Sequence, residues 1–413
     1  MPYKLILFLS LVNILNFFDR YIVQAVEPLL KVDLALTNQQ SGSLGAAFVV
    51  GYCIFSPLFG FLGARVDRRL LMLVGLVAWS LCTALTGLAT GFLSFFCARA
   101  LVGIGEASFG AIAPAYLKGR IPDTIKLNTA LSLFYVAIPV GSALGYVAGG
   151  EIASRFGWQM LFFLACVPGI LLAAGFYFIA PEQREPPLYT HGVADTRFFS
   201  GVAEIFRSRV LLLTILGYVF NTFALNGVAM FVVRHVSSLG LDGASAPTYF
   251  GAILALTGFV GALGGGALAS RLAARAQTPA YGLLLFVAAT TLVGTPFLGL
   301  AFCGSTPMAF FAMCFVAQLA LFAGVAPLNT VLVSCAPKGL EALTQGVTIF
   351  LIQLFGAALA PVVIGGMADK LIHHGVVDNA MAYALQITTV AMALSGFVWW
   401  RAAICERRST RGS

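Results

Sequence analysis

Long apolar runs, each of roughly 20 residues or more, recur from one end of this chain to the other. A helix of that length crosses the hydrocarbon core of a lipid bilayer, which is about 30 Å thick. Apolar residues make up 60% of the chain and charged residues 10%, a composition that a water-soluble domain of this length would not tolerate. The sequence therefore predicts an all-α membrane protein that crosses the bilayer many times.

Twelve such runs are predicted to be transmembrane helices, an even number that places both termini on one side of the membrane. The first run is interpreted as a helix and not as a cleavable signal peptide, because it is too long and lacks a small-residue cleavage site. The predicted spans are 5–30, 41–64, 70–92, 93–117, 127–150, 159–180, 210–234, 247–270, 280–302, 307–331, 342–366 and 380–400.

The net charge of +8 indicates how these helices are oriented. Most Lys and Arg residues fall on the same side as the N-terminus, and the opposite side holds only Lys31, Arg155, Arg234 and Lys370. Loops rich in Lys and Arg stay in the cytoplasm, so both termini are predicted to be cytoplasmic. The basic excess therefore does not indicate a nucleic-acid partner. We expect a multi-pass protein of a bacterial-type inner (plasma) membrane that works as a monomer.

No cofactor or metal site is predicted from the sequence. The eight cysteines show no CxxC spacing, and His373 and His374 fall in an outer loop, where a surface role is favoured over metal binding. The sequence contains no phosphate-binding GxxxxGK[ST] loop, so ATP is not the expected energy source within this chain. Protons are the expected coupling ion.

The one long polar connection lies between the sixth and seventh predicted spans. It divides the chain into predicted six-helix bundles at 1–180 and 210–413, the second with a short basic tail, and a cytoplasmic linker at 181–209. An internal echo supports the division, since GFLGARVDRR begins at Gly60 and GALASRLAAR begins 206 residues later at Gly266. Two similar bundles with a substrate site between them near mid-membrane are typical of secondary transporters.

Three motifs resemble those of the major facilitator superfamily. GFLGARVDRR resembles its loop motif G-x-L-a-D-R-x-G-R-[RK] between the second and third helices. RALVGIGEA from Arg99 resembles its R-x-x-x-G-x-G-x-A motif in the fourth helix, and GSALGYVAGG from Gly141 resembles its antiporter motif G-x-x-x-G-P-x-x-G-G in the fifth. With FFDRY, YLKGRIP and RFGWQ, the pattern is most similar to the spinster-like branch, whose animal members export sphingosine-1-phosphate or lysophospholipids. The resemblance implies twelve helices in two pseudo-symmetric six-helix bundles.

The loop motif departs from the superfamily pattern at its acid. That position is Ala64, and the nearest carboxylate is Asp67. In the superfamily the acid helps to close the cytoplasmic side by pairing with the N-terminus of a helix in the other half, so either Asp67 substitutes or the closure is weak. The alternative is that the arginines only anchor the loop at the cytoplasmic surface. The candidate gating residues are Gly60, Gly63, Arg65, Asp67, Arg68 and Arg69.

The glycines of the fifth predicted helix form a stripe. Gly141, Gly145 and Gly149 are four residues apart, so they present one smooth surface along which another helix packs or slides closely. The sequence leaves two roles open for this stripe, static packing and conformational change.

Four charges lie well inside the predicted spans: Asp19 and Arg20 on the first helix, and Arg99 and Glu106 on the fourth. Neighbours on a helix point about 100° apart, so Asp19 and Arg20 need partners elsewhere. Arg99 and Glu106 share one face of their helix. We predict that Asp19 pairs with Arg99, which leaves Arg20 for Glu106. Charges at this depth are costly and indicate a functional site, although a purely structural network is the alternative.

Apart from Arg234 at the end of the span 210–234, the second half carries no charge within its predicted spans. Its neutral polar residues serve either as hydrogen-bond partners between helices or as substrate contacts. Arg99 is the candidate anchor for an anionic head group, because a guanidinium binds phosphate or carboxylate bidentately. The candidate substrate-binding residues are Arg99, Arg20, Asn226, Gln318, Gln345 and Thr348.

The sequence favours a secondary transporter that works by alternating access and is coupled to protons through Asp19 or Glu106. Asp19 is preferred because its predicted partner is the head-group anchor. A charged N-terminal half and a mostly apolar C-terminal half suit a small amphipathic, lipid-like substrate, such as a lysophospholipid or a sphingosine-phosphate-like molecule. The alternative is a proton-coupled antiporter for drugs, sugars or organic anions. An enzyme is disfavoured because no histidine falls well inside a span, and a channel because the two halves differ.

Overall fold

The structure is a computed structural model that describes residues 2–36, 38–179, 198–241, 245–374 and 379–409. These ranges contain helices joined by short turns and no strand. The α-helices are α1 (Tyr3–Asp33), α2 (Asn38–Leu62), α3 (Arg68–Thr86), α4 (Phe92–Arg120), α5 (Thr124–Tyr135), α6 (Ala137–Phe156), α7 (Trp158–Ile179), α8 (Phe198–Arg207), α9 (Arg209–Ser238), α10 (Ser245–Val260), α11 (Gly266–Ala274), α12 (Pro279–Cys303), α13 (Pro307–Ala323), α14 (Val325–Ser334), α15 (Glu341–Leu351), α16 (Leu359–His373) and α17 (Ala380–Ser409). Two π-helical stretches, Gly261–Gly265 and Ile352–Ala358, continue α10 into α11 and α15 into α16.

The helices coincide with the predicted spans. Among the described residues, eleven helical stretches are long and apolar enough to cross a membrane, and the shorter apolar stretch Ala47–Leu62 lies in the second predicted span. The prediction of an all-helical, multi-span membrane protein is therefore confirmed. The third span ends earlier than predicted, at Thr86 instead of 92, because Gly87 caps α3 and a short turn precedes α4.

The chain divides into two compact units. One short segment from each sequence half packs in the unit formed mainly by the other half. Unit 1 comprises Met1–Pro122, Leu133–Ile205 and Ala336–Phe350, and unit 2 comprises Asp123–Ser132, Phe206–Cys335 and Leu351–Ser413. The start of α5 therefore belongs with the second half of the chain, and most of α15 belongs with the first half. The predicted boundaries of the halves and their linker remain a prediction, and much of the linker lies outside the described residues.

In unit 1, α4 packs closely against α2 and α3 because glycines line its contact faces. A Cβ atom at Gly103 would lie 2.2 Å from the backbone oxygen of Phe48 on α2. A Cβ atom at Gly105 would lie 2.7 Å from the Cβ atom of Trp79 on α3. These two glycines of the RALVGIGEA motif therefore bring two neighbouring helices onto α4 next to Glu106.

The glycine stripe of α6 packs against α1 in the same unit. A Cβ atom at Gly141 would lie 2.5 Å from the Ile14 backbone oxygen, and one at Gly145 would lie 2.9 Å from the Phe18 backbone oxygen. Gly149 continues the contact one turn later. The close helix approach predicted from the spacing is therefore present, and it holds the helix that carries Asp19 and Arg20. A role of the stripe in conformational change remains a prediction.

Helix α8 is the described part of the predicted linker. The ring of Phe198 meets the ring of Phe61, near the end of α2, edge-on at 5.5 Å. A Cβ atom at Gly201 would lie 3.0 Å from the side chain of Leu343 on α15. In unit 1, α8 therefore packs against both α2 and the first turn of α15.

Unit 2 is organised around α9, α12 and α17. Trp399 of α17 is buried, and its indole Nε1 donates a hydrogen bond of 3.1 Å to the Thr214 carbonyl on α9. Apolar side chains from these helices pack around it, including Leu283 and Val287 of α12. This core is built almost entirely from apolar contacts, as expected for spans without charge.

A buried amide joins the start of α5 to the rest of unit 2. Asn128 Nδ2 donates to the Gly266 carbonyl at 2.9 Å and to Ser270 Oγ at 3.0 Å. Its Oδ1 atom accepts from the Thr330 hydroxyl at 3.2 Å. Gly266 begins the echo segment GALASRLAAR, so this second copy of the loop pattern lies against the start of α5.

Candidate functional site

The fold brings the four buried charges of unit 1 together on α1 and α4. Arg20 Nε donates to Glu106 Oε2 at 2.9 Å. The Glu106 side chain is fully buried, and 18% of the Arg20 side chain is exposed. The predicted pairing of Arg20 with Glu106 is therefore confirmed.

Asp19 and Arg99 meet in a different way from the predicted pair. Arg99 Nη2 donates to the backbone carbonyl of Asp19 at 3.0 Å. The Asp19 carboxylate instead accepts from the Thr83 hydroxyl on α3, at 3.3 Å, and the indole of Trp79 lies beside it. The predicted carboxylate–guanidinium pair is wrong, because the carboxylate faces α3 while the guanidinium of α4 reaches the backbone of α1.

Several buried polar atoms of this cluster have no hydrogen-bond partner among the described residues. They are Asp19 Oδ1, Arg99 Nε, Arg99 Nη1 and Glu106 Oε1. An unpaired polar group in an apolar interior costs free energy, and an unpaired charge costs more. The cluster therefore combines one satisfied ion pair with donor and acceptor atoms that can take a ligand or a proton.

Aromatic rings surround the guanidinium of Arg20. Its Cζ atom lies 4.9 Å from the ring centroid of Phe17, 4.6 Å from that of Phe48 and 4.4 Å from that of Tyr52. These distances are within the range of cation–π attraction, which is stronger where the cation is shielded from water. Within the described ranges, the Arg99 guanidinium lies within this range of one ring, that of Phe48, at 5.8 Å. Arg20 is therefore held by both an acid and aromatic faces, and Arg99 is held less firmly.

Sequence reasoning missed the uncharged residues around the cluster. Thr83 and Trp79 flank Asp19, Asn16 lies beside Glu106, and Phe48 and Tyr52 cover Arg20. Their identities are ordinary for transmembrane helices, so no residue alone indicates the site. The available signal was the four-residue spacing of the two rings, which places them on one face of α2.

The family match decides how this site is to be interpreted. Residues 9–361 match the Major Facilitator Superfamily. The chain belongs to this superfamily. Its members are transporters and not enzymes, which agrees with the function class that the sequence favours.

Spinster homologues are among the curated relatives of this superfamily member. It is 27% identical to a probable sphingolipid transporter, spinster homolog 1, of Arabidopsis thaliana, over 96% of this chain and 88% of the relative. It is 29% identical to protein spinster homolog 1 of Homo sapiens, over 96% of this chain and 79% of the relative. The resemblance to the spinster-like branch is therefore confirmed.

Solved structures of the superfamily share the fold. A bacterial homologue of the human lysosomal transporter Spinster, in an inward-facing and unoccupied conformation, matches with a TM-score of 0.64 at 20% identity, over 98% of this chain and 97% of that one. A proton:xylose symporter matches with a TM-score of 0.75 at 18% identity, over 97% and 95% of the two chains. At these identities the likeness shows the major facilitator fold.

The superfamily's loop motif makes its charged contact through Arg68 in this chain. Arg68 donates to the Gly63 carbonyl at 2.9 Å, to the Ala115 carbonyl at 3.2 Å and to Glu341 Oε2 at 3.0 Å. Glu341 is the first residue of α15. The acid of this contact therefore begins α15 and the base begins α3.

The other charged residues of the motif contact α2, α3 and α7. The carboxylate of Asp67 caps α3 by accepting from the Arg69 backbone N–H at 2.8 Å. The guanidinium of Arg69 donates to the Tyr177 carbonyl, near the end of α7. Arg65 lies over the ring of Phe61 at 3.9 Å. Asp67 thus caps α3, and the ion pair of Arg68 joins the start of α3 to α15.

The two glycines of the loop motif lie where α2 meets α15. A Cβ atom at Gly60 would lie 2.5 Å from the Ala342 backbone oxygen, and one at Gly63 would lie 3.2 Å from the Ala342 side chain. Ser56, one turn before Gly60 on α2, contacts Gly346 of α15. Cys53, two turns before Gly60, contacts Phe350 near the end of α15. Cys53, Ser56, Gly60 and Gly63, with the α15 residues that they touch, form the α2–α15 contact.

The candidate substrate residues of the second half fall in different units. Gln345 and Thr348 lie on α15 within unit 1 and are buried. Asn226 and Gln318 lie in unit 2, where Asn226 donates to a carbonyl of its own helix and Gln318 Oε1 accepts from the Thr257 hydroxyl at 3.3 Å. Their role in substrate binding remains a prediction.

Proposed function

We propose that this protein is a proton-coupled secondary transporter of a small amphipathic substrate with an anionic head group, of the lysophospholipid or sphingosine-phosphate kind. The observation that carries the proposal is the buried charge cluster, in which Arg20 is committed to Glu106 while Arg99 has two unpartnered nitrogens. A guanidinium binds an anion bidentately along one of its edges, and each such edge of Arg99 includes one of these nitrogens. Arg99 is therefore the proposed head-group anchor.

Asp19 is the proposed proton carrier. Its carboxylate has the Thr83 hydroxyl as a partner and forms no ion pair with any described residue, whereas Glu106 is held by Arg20. Arg99 lies next to Asp19 without pairing with its carboxylate, and a head group that neutralises Arg99 removes this nearby positive charge, so Asp19 takes up a proton. Substrate binding and protonation then favour each other by the same factor.

The names of similar proteins support both parts of the proposal. The plant relative is described as a probable sphingolipid transporter. The fucose and xylose transporters that share the fold are described as proton symporters. These names describe those proteins. We extend the expectation of lipid transport and proton coupling to this chain because of its buried charge cluster.

The substrate class is tested by binding a panel of ligands to the purified protein at two pH values. The panel contains a lysophospholipid, sphingosine phosphate, a hexose and a cationic dye. We expect one of the two lipids to bind, and to bind more tightly at the lower pH, because binding is linked to proton uptake. Binding of the hexose or the dye and of neither lipid would overturn the proposed substrate class and favour the alternative antiporter, and lipid binding without dependence on pH would overturn the proton coupling.

In this proposal the α2–α15 contact closes the cytoplasmic side and Arg68–Glu341 stabilises the closed state. Glu341→Gln weakens a charge-assisted hydrogen bond that contributes about 1.5 kcal/mol, so opening should become roughly tenfold more favourable. The measurement is the labelling rate of Cys53, whose Sγ atom lies 3.5 Å from the Phe350 carbonyl of α15, in protein with the other cysteines replaced by serine. Glu204→Gln, an equal charge change at an exposed position on α8, is the control. Equal labelling rates in both variants would mean that the ion pair does not hold the closure.

The glycine stripe of α6 is proposed to permit movement of α6 along α1. Gly145→Leu places a side chain where a Cβ atom would already lie 2.9 Å from Phe18 and Tyr21 atoms, so transport should fall strongly while folded protein is still obtained. Gly150→Leu is the matched control, because a Cβ atom at Gly150 meets no atom within 4 Å. Transport is measured in proteoliposomes. If Gly145→Leu transports as well as the parent, the glycine stripe serves helix packing and is not needed for movement of α6 along α1.

A further inference from the structure

Of the three rings around the Arg20 guanidinium, that of Tyr52 on α2 lies nearest. Its ring centroid lies 4.4 Å from Arg20 Cζ, and 7% of the residue is exposed. A Cβ atom at Gly110 of α4 would lie 2.3 Å from the Tyr52 hydroxyl oxygen. The phenol therefore occupies the space that Gly110 leaves, and this space fixes where the ring meets Arg20.

The backbone of α2 lies directly against α4 at this level. A Cβ atom at Gly103 would lie 2.9 Å from the Tyr52 backbone nitrogen. A Cβ atom at Gly51 would lie 2.1 Å from the Ala100 carbonyl oxygen. With no side chain between the two helices at these glycines, the Tyr52 backbone is held against α4, so the distance from its ring to Arg20 changes when α1, α2 or the Arg20 side chain moves.

The same helix carries the α2–α15 contact immediately beyond Tyr52. Cys53 donates to the Phe350 carbonyl, and a Cβ atom at Gly346 would lie 2.2 Å from the Ser56 backbone oxygen. Tyr52 contacts Arg20, and the following residues Cys53 and Ser56 contact α15. One helical segment, from Tyr52 to Ser56, therefore touches both the charge cluster and α15.

We propose that Tyr52 is a positioning residue that attaches Arg20 to α2, so that the state of the charge cluster and the α2–α15 contact are energetically linked. The attraction between the Arg20 cation and the Tyr52 face favours the position of α2 in which α15 is seated. When Arg20 leaves Glu106, that attraction is lost and the seating of α15 weakens. The link rests on the proposed function, in which the α2–α15 contact opens during transport.

The experiment measures labelling of Cys53 in protein where it is the remaining cysteine, with no substrate added. Tyr52→Leu should raise the labelling rate about three- to tenfold, because the cation loses its aromatic face. Tyr52→Phe keeps that face but loses the hydroxyl that interacts with Arg20, so its labelling rate should fall between those of the parent and Tyr52→Leu. Gly110→Ala, which displaces the phenol without changing Arg20, should raise the rate as Tyr52→Leu does. Gly119→Ala on the same helix is the matched control, since a Cβ atom there meets nothing within 4 Å.

A double-mutant cycle separates this link from simple packing. Arg20→Gln alone should also raise the labelling rate, and Arg20→Gln/Tyr52→Leu should raise it no further than the larger single change. The proposal would be overturned if the two increases in labelling rate multiplied in the double variant. It would also be overturned if Tyr52→Leu were labelled at the rate of the parent. The ligand panel tests the proposed function separately, so loss of the link with intact lipid binding would reject the role of Tyr52 alone.

Discussion

Arg99→Lys should abolish most lipid binding although it preserves the positive charge. The lysine ammonium cannot reproduce the fork of a guanidinium that donates to the Asp19 carbonyl and still offers unpartnered nitrogens. Loss of one or two charge-assisted hydrogen bonds, at about 1.5–3 kcal/mol each, weakens binding at least tenfold. Titration of the purified variant with the lipid that binds the parent gives the dissociation constant.

Arg155→Lys provides the control for this substitution. Arg155 is an exposed arginine at the end of α6, so its replacement should leave the affinity unchanged. If folded Arg99→Lys protein binds as tightly as the parent, Arg99 is not the head-group anchor.

The second large effect concerns the stability of the folded protein when either acid of the cluster is replaced. Glu106→Gln should lower the free energy of unfolding by about 3 kcal/mol, because it leaves the Arg20 charge in a largely buried position without its acid. Asp19→Asn should cost much less, since its carboxylate makes no ion pair with the described residues and an amide still accepts from Thr83. Denaturant unfolding in detergent measures both changes.

A rescue variant tests the cause of this destabilisation. Arg20→Gln/Glu106→Gln removes both charges and should recover much of the stability lost in Glu106→Gln, because no unpaired buried charge remains. Equal destabilisation by Glu106→Gln and Asp19→Asn would contradict the assignment of Glu106 to structure and of Asp19 to proton transfer.

Much of the fold could be predicted from the sequence because the bilayer imposes strong rules. Each apolar run of sufficient length must form a helix with all its backbone groups bonded, which explains the agreement of the twelve predicted runs with the observed helices. The pairing of Arg20 with Glu106 was also predictable, because opposite charges at a similar depth in the membrane attract each other and are less costly to bury as a pair. The four-residue glycine spacing correctly predicted the close packing of α6.

The remaining details depend on how each helix is rotated about its axis. One sequence does not reveal that the Asp19 carboxylate faces Thr83 on α3, or that Tyr52 reaches Arg20 from α2. The loop motif shows the same limit. Asp67 was the nearest acid in sequence, yet it caps α3, and the acid that meets Arg68 is Glu341, which is distant in the chain.

Proton uptake on lipid binding tests the central claim most directly, namely that the cluster joins head-group binding to protonation. The change in pH is measured in weakly buffered solution when lipid is added to the parent, to Asp19→Asn and to folded Glu106→Gln protein. We predict uptake by the parent and by Glu106→Gln, and its loss in Asp19→Asn. Equal uptake by all three proteins would contradict the account and leave the charge cluster with a structural role.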